Sequence, residues 1–327
     1  MSPPRPHGDR YPLTPAELEA FRRDGYVHLP GLLSAAELAV LEPIYMRLLR
    51  REIPVTGRDY CDMSGDYQKS IEDYAILNVM LPRRYHPALC GNAYERRAAD
   101  IARQLCGDDM ELDYDQLVAK PPHKQAAVFH WHQDLGYWPI TADTRTASFW
   151  LAFDDCAPDN GCVRFVVGSH LDPQLRPHLP LHGDRGKSHT LVAQVDEAHE
   201  TIRPALLRKG DVTVHHERAV HGSGGNQSDR WRRGYVVAFR SRATVMQERA
   251  LGFTHSHNDE VEVLNLIAQQ TQRSPSEVRQ RFAEKITCYS NNGNPKPVID
   301  SFKYDPLPIV AISVDMLDTG YDHKEVE

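Results

Sequence analysis

Long apolar runs are missing from this 327-residue chain. No stretch approaches the roughly 20 residues that a membrane-spanning helix needs, so no membrane partner is expected. Cysteine is sparse and unpaired in pattern. Cys61, Cys90, Cys106, Cys156, Cys162 and Cys288 form no CxxC motif, which argues against a disulfide scaffold or a cysteine-rich zinc module and suits a reduced, cytoplasmic setting. A surplus of positive charge is absent too. The formal net charge of -7 points away from a general nucleic-acid-binding role. Internal repeats and low-complexity blocks are lacking, as is any linker that would separate two domains. The opening MSPPRPHGDRYP has no apolar stretch of the secretory kind and reads as a disordered arm over residues 1–12.

What is present is ordinary in bulk and unusual in one residue. The apolar fraction is 41% and the charged fraction 25%, as in soluble globular proteins. Histidine is the exception, with seventeen copies and clusters at 123–132 and 215–221. Near the N-terminus, Thr14-Pro15-Ala16-Glu17 and Ser34-Ala35-Ala36-Glu37 are capping boxes that start two helices. Gly25 to Gly31 alternates like a short strand between them. Residues 92–106 place Ala98, Ile101, Ala102 and Leu105 on one helical face. From about residue 112 the texture changes to short β-type runs: 112–119, 126–132, 147–153, 163–167, 190–195, 212–216 and 234–240. Turn signals separate them at Asn160-Gly161, Lys209-Gly210-Asp211 and Gly222 to Asn226. Many short strands at this spacing predict an all-β barrel or double-sheet roll with the helices outside it. Residues 258–286 carry a helical pattern with Ser274 or Ser276 as cap, and the last forty residues are expected to be mostly irregular.

The chemistry concentrates at Phe129-His130-Trp131-His132-Gln133-Asp134. In a strand, side chains two apart share a face, so His132 and Asp134 can aim at one point. A His-x-Asp pair followed by a distant His is the pattern of the two-His-one-carboxylate triad, which holds Fe(II) on one face and leaves positions open. A structural zinc site would instead close all four positions. His221 is the distal candidate, and His215 and His216 are its competitors. Eleven residues after His221 stands Arg232, suited to a bidentate grip on a carboxylate. Arg233 is its alternative, and strand alternation lets only one of the two point inward. Ser223 can share the face of His221 and add a hydroxyl. Together these outline a pocket for a small dicarboxylic keto acid beside a metal. His130 would share the face of His132 and is read as a residue that supports the ligands from behind or walls the pocket. His170 is read as a turn residue.

Five separated stretches resemble the phytanoyl-CoA dioxygenase family of Fe(II)- and 2-oxoglutarate-dependent oxygenases. They are LTPAELEAFRRDGYVHLPGLLSAAEL, QLVAKPP, HWHQDLGYWP, FWLAFDDCAPDNGCVRFVVGSH and KGDVTVHHERAVHGSGGNQSDRWRRGYVVAF, in the family's order over roughly residues 13–240. The resemblance implies a mainly β fold with flanking helices, whose core is a double-stranded β-helix, a cupin-like jelly roll. That core, with the N-terminal helices, would span 13–250, and residues 251–327 would be a helical or irregular extension packed on the same domain. It implies that His132, Asp134 and His221 are iron ligands and that Arg232, assisted by Ser223, binds the distal carboxylate of 2-oxoglutarate. Trp150, Gln116 and Gln133 stand where side chains reach the cosubstrate or substrate, and Lys120 belongs to the same motif as Gln116.

The implied activity is oxidation of a small molecule by O2, with release of succinate and CO2. Hydroxylation, desaturation, epoxidation and ring rearrangement share this chemistry, whereas the carboxylate at 134 argues against halogenation. A secondary metabolite is the expected substrate, and acyl-CoA 2-hydroxylation in lipid catabolism is the alternative. Two readings of other classes stay open: a non-redox zinc or manganese enzyme on a cupin-like roll, and a 2-oxoglutarate-binding sensor. The chain is expected to act as a monomer or homodimer.

Overall fold

The structure is a computed structural model. It describes residues 8–64, 69–139, 141, 143–183, 188, 190–250 and 253–256, and the backbone of 283–286 and 310–313. Two compact units divide the chain, residues 1–257 and 258–327.

Local sequence signals set the helices of the first unit. Helix α1 (Pro15–Asp24) begins at a reciprocal capping box between Thr14 and Glu17, carries Pro at its first position, and ends at Gly25 in the left-handed conformation. Helix α2 (Ala35–Leu49) starts in the same way at Ser34 and Glu37. Helix α3 (Ala93–Cys106) is capped by Asn92 and buries Tyr94, Ala98, Ile101 and Ala102. A fourth helix, α4 (Arg242–Ala250), was not expected from the sequence.

The strands are β1 (Tyr26–Leu29), β2 (Tyr60–Asp62), β3 (Leu77–Met80), β4 (Met110–Lys120), β5 (Phe129–His132), β6 (Thr146–Ala152), β7 (Val163–Val166), β8 (His178–Pro180), β9 (Leu191–Ala193), β10 (Ile202–Pro204), β11 (Val212–His215), β12 (His221–Ser223) and β13 (Arg232–Ser241). Seven of them form one sheet in the order β1-β11-β6-β13-β4-β3-β2, and four form a second in the order β10-β7-β12-β5. All pairings in both sheets are antiparallel. This is the mainly β, jelly-roll-type architecture expected from the strand spacing.

The large sheet divides the unit chemically, because successive strand residues face opposite ways. One face of its central strands carries Leu117, Phe149, Leu151, Val214, Tyr235, Val237 and Phe239. These join Phe21, Leu38, Tyr45, Leu48, Tyr94 and Ile101 of the helices in the main apolar core. The helices therefore lie outside the roll, as expected. The opposite face carries Gln116, Ser148, Trp150, Thr213, His215, Arg232 and Arg240, and most of the polar chemistry lies there.

Two expectations are corrected. The arm over 1–12 is not free along its whole length: Tyr11 is fully buried, its amide donates to Asp100 and its hydroxyl to the Pro30 carbonyl, while residues 1–7 lie outside the described residues. Residues 283–286, assigned by periodicity to the end of a helix, are strand β14 (Ala283–Ile286), which pairs in parallel with β15 (Val310–Ser313). The rest of the helical pattern over 258–286, with its caps, lies outside the described residues.

Candidate active site

Antiparallel register brings two histidines together. His132 ends β5, His221 begins β12, and the two are direct cross-strand partners, with ring centroids 4.2 Å apart. Asp134 is not a strand residue as the His-x-Asp argument assumed. It opens a 3-10 turn, Asp134–Gly136, just after β5, and its carboxylate still reaches both rings. Asp134 Oδ1 lies 3.8 Å from His132 Nε2 and 3.6 Å from His221 Nε2. One ligand atom from each of the three residues fits within 4.8 Å of the others.

Each imidazole is held in one orientation from behind. His132 Nδ1 donates to the His130 carbonyl at 2.7 Å, and His221 Nδ1 donates to the Ala219 carbonyl at 2.9 Å. A backbone acceptor on Nδ1 fixes the tautomer and leaves Nε2 as a bare lone pair. Burial lowers the basicity of both rings, which favours the neutral form that can ligate a metal. Burial works against the Asp134 carboxylate, but His221 and the His215 hydrogen bond outweigh it and hold the group ionised, well below the usual carboxylate range. Two neutral imidazoles and one carboxylate on one side of a cavity suit Fe(II) with open positions.

The triad lines a cavity together with Gln116, Trp150, Ser223 and Arg232. Arg232 is 1% exposed, and its guanidinium carbon stacks 4.4 Å from the Trp150 ring. Gly234 permits this: a Cβ there would fall 2.1 Å from the Trp150 ring atoms. The Arg232 Nε and Nη1 atoms are buried without a hydrogen-bond partner, and among the described residues no carboxylate pairs with them. A buried guanidinium left in this state is costly unless a ligand completes it. Arg233 faces the other side of β13, where it pairs with Asp154 and Glu42. These residues therefore fit a keto acid with a distal carboxylate as well as the metal.

Lys120 is a second buried basic side chain at this site, one to which the sequence assigns no clear role. It is the cross-strand partner of Arg232 and is fully buried. Its Nζ donates to Ser223 Oγ and to the Gly224 carbonyl, each at 2.6 Å. Burial, then the neighbouring Arg232, pushes the Lys120 ammonium well below its ordinary range. Because Ser223 accepts from Lys120, its own hydroxyl proton is free to donate into the cavity. The signal was present in the sequence: Lys120 lies four residues after Gln116 on one strand and so shares its face.

Other expected residues are placed differently. Gln133 does not line the cavity: its Nε2 donates to the Arg218 carbonyl and its Oε1 accepts from the Arg176 amide, a structural role. His130 is not among the lining side chains, and what it supplies is its carbonyl. His170 sits in a 3-10 turn, its Nε2 against the Arg22 carbonyl. His216 is not among the lining residues either. His215 does line the cavity, yet it contacts Asp134 rather than joining the ligand cluster.

Comparison with known proteins gives a consistent picture. The sequence model of the family described as Phytanoyl-CoA dioxygenase (PhyH) matches residues 21–234. An ectoine dioxygenase of Sphingopyxis alaskensis is 26% identical over 233 residues, covering 66% of this chain and 72% of that protein. Among solved structures, EvdO2 from Micromonospora carbonacea var. aurantiaca in complex with 2-oxoglutarate aligns with a TM-score of 0.56 at 26% identity, over 70% of this chain and 91% of that one. The epimerase SnoN, in complex with Fe3+, alpha ketoglutarate and nogalamycin RO, aligns with a TM-score of 0.53 at 25% identity, over 69% and 82% of the two chains.

Proposed function

The chain belongs to the phytanoyl-CoA dioxygenase family, a 2-oxoglutarate-dependent dioxygenase with Fe(II) as its metal, and from that premise we propose that it hydroxylates a C–H bond of a small secondary metabolite. The observation that carries the reading is the buried Arg232, whose guanidinium has no carboxylate partner and lines the same cavity as the His132, Asp134 and His221 triad. A zinc or manganese hydrolase would have no use for that cation. A sensor would have no use for a ligand set that leaves metal positions open.

His132, Asp134 and His221 would hold Fe(II) through His132 Nε2, His221 Nε2 and Asp134 Oδ1. When bound, the metal and 2-oxoglutarate would together let O2 be consumed, one oxygen atom going into succinate as CO2 leaves and the other into the substrate C–H bond. The chain's own groups bind and orient. Arg232 takes the distal carboxylate by a charge-assisted, two-point grip, Ser223 donates a hydroxyl to it, and Lys120 holds Ser223 in place. Trp150 fixes the plane of the guanidinium by stacking. Met63, Phe129, Tyr137, Val163 and Val236 wall the cavity and keep water from it, which strengthens each of these contacts.

A small, largely apolar substrate is supported by that lining. Among the described cavity-lining residues no Lys is found, and no Arg other than Arg232. The phosphates of an acyl-CoA would therefore meet no cation inside the cavity, and the net charge of -7 gives them no general attraction. The SnoN complex, which holds nogalamycin RO, supports a secondary metabolite as the class to try first. The test is succinate release. Iron-loaded protein is given 2-oxoglutarate and O2, alone and with panels of secondary metabolites and acyl-CoA thioesters. Stimulation by a metabolite, with a product heavier by one oxygen, is expected. Stimulation by acyl-CoA alone would move the assignment to lipid catabolism, and no Fe(II)-dependent succinate at all would overturn the reading.

A further inference from the structure

One histidine beside the triad has no place in the mechanism above. His215 is buried, and its ring centroid is 4.5 Å from that of His221. Its Nε2 lies 3.1 Å from Asp134 Oδ2. Ser148 Oγ donates to the same oxygen, also at 3.1 Å. The two donors arrive together because Ser148 and His215 are direct cross-strand partners on β6 and β11, with both side chains on the inward face. Neither stretch shows this alone: the residues are 67 positions apart, and only the register aligns them.

An ionised carboxylate has two oxygens with about two acceptor directions each. On Asp134 both directions of Oδ2 are filled by His215 and Ser148, while Oδ1 faces the two Nε2 atoms. We propose that His215, with Ser148, is a positioning residue that confines Asp134 to one-oxygen ligation. A carboxylate free to turn could offer both oxygens and occupy a further metal position. Held by one oxygen, it would keep the remainder of the metal's coordination free for the keto acid and O2. His215 is thus no competitor for the place of His221; it stands one step behind Asp134. The inference rests on the proposed iron site.

The experiment is an anaerobic Fe(II) titration in the presence of 2-oxoglutarate, followed by the visible charge-transfer band of the keto acid on protein-bound iron. It compares wild type with His215→Phe, which keeps a ring and loses the donor, and His215→Gln, whose amide nitrogen can replace Nε2. Partners of metal ligands typically affect affinity by roughly 10–100-fold, so His215→Phe is expected to weaken Fe(II) binding by at least about 10-fold and to shift the band, with Gln recovering most of the loss. Ser148→Ala, a small truncation, serves if His215→Phe does not fold, and a loss of about threefold is expected there. Wild-type affinity and band in His215→Phe would overturn the inference, as would an equal loss in the Phe and Gln variants. No band in wild type would instead remove the iron reading itself, so the two failures are distinguishable.

Discussion

Strand β13 carries two inward-facing buried arginines, eight residues apart, and they are solved in opposite ways. Arg240 stacks over Trp138 at 4.9 Å, pairs with Glu248 at 2.6 Å, lies 3.6 Å from Glu217, and donates to Ser256. Arg232 stacks over Trp150 at 4.4 Å and has no carboxylate partner among the described residues. Burying a guanidinium costs several kcal/mol unless other groups compensate. At Arg240 the fold supplies that compensation itself. At Arg232 it withholds it and places a Trp platform, a Ser hydroxyl and the Lys120 amine nearby. The first arrangement is a structural ion network. The second is half of an ion pair whose other half is a ligand.

Removing the centre that the two arginines flank is the bluntest way to break this comparison. Asp134→Ala should abolish Fe(II)-dependent succinate formation, and bound iron measured after desalting should fall to background while the fold persists. Next comes stability. Arg240→Met strands Glu217 and Glu248 in the interior, and urea unfolding should show a loss of about 3–5 kcal/mol. Arg232→Met removes an unpaired buried charge and should leave stability within about 1 kcal/mol of wild type. Equal losses in the two variants would erase the distinction.

Smaller effects sharpen it. Lys120→Met should raise the apparent KM for 2-oxoglutarate by about 10-fold, in line with one charge-assisted hydrogen bond lost through Ser223. The smallest effect is in pH dependence. Burial pushes the Glu217 carboxyl up to about 7, above its value in the unfolded chain, so the folded protein holds a proton that the unfolded chain releases. Glu217 therefore contributes stability that is complete below about pH 4.5 and lost as pH rises through about 7. Glu217→Gln should flatten the dependence of Tm between pH 5 and pH 8. An unchanged slope would mean that another group sets it.

Much of this was legible in the sequence where the controlling physics is local. Capping boxes placed α1 and α2; strand alternation let only one of Arg232 and Arg233 point inward, and the eleven-residue offset from His221 favoured Arg232. His-x-Asp spacing made His132 and Asp134 candidates, and the family resemblance completed the metal-capable set with His221. The misses have non-local causes. Gln133 was assigned to the pocket on adjacency to two candidate ligands, yet the chain leaves β5 there and its amide is captured by backbone at 176 and 218. The joint hold of His215 and Ser148 on Asp134 depends on the register between β6 and β11, which no spacing encodes. The Glu248 partner of Arg240 comes from α4, a helix whose signal was too weak to register.

The most direct test of the central claim is an anaerobic titration of Fe(II)-loaded protein with 2-oxoglutarate, read by the charge-transfer band, in wild type, Arg232→Ala and Arg233→Ala. The account predicts a saturable band in wild type and half-saturation raised on the order of 100-fold in Arg232→Ala, the scale for losing one partner of a buried charge pair. In Arg233→Ala the change should stay under about threefold, because that guanidinium already pairs with Asp154 and Glu42 on the far face and lies outside the cavity. Wild-type half-saturation in Arg232→Ala would contradict the claim, because the buried guanidinium would then not be the partner of the keto acid.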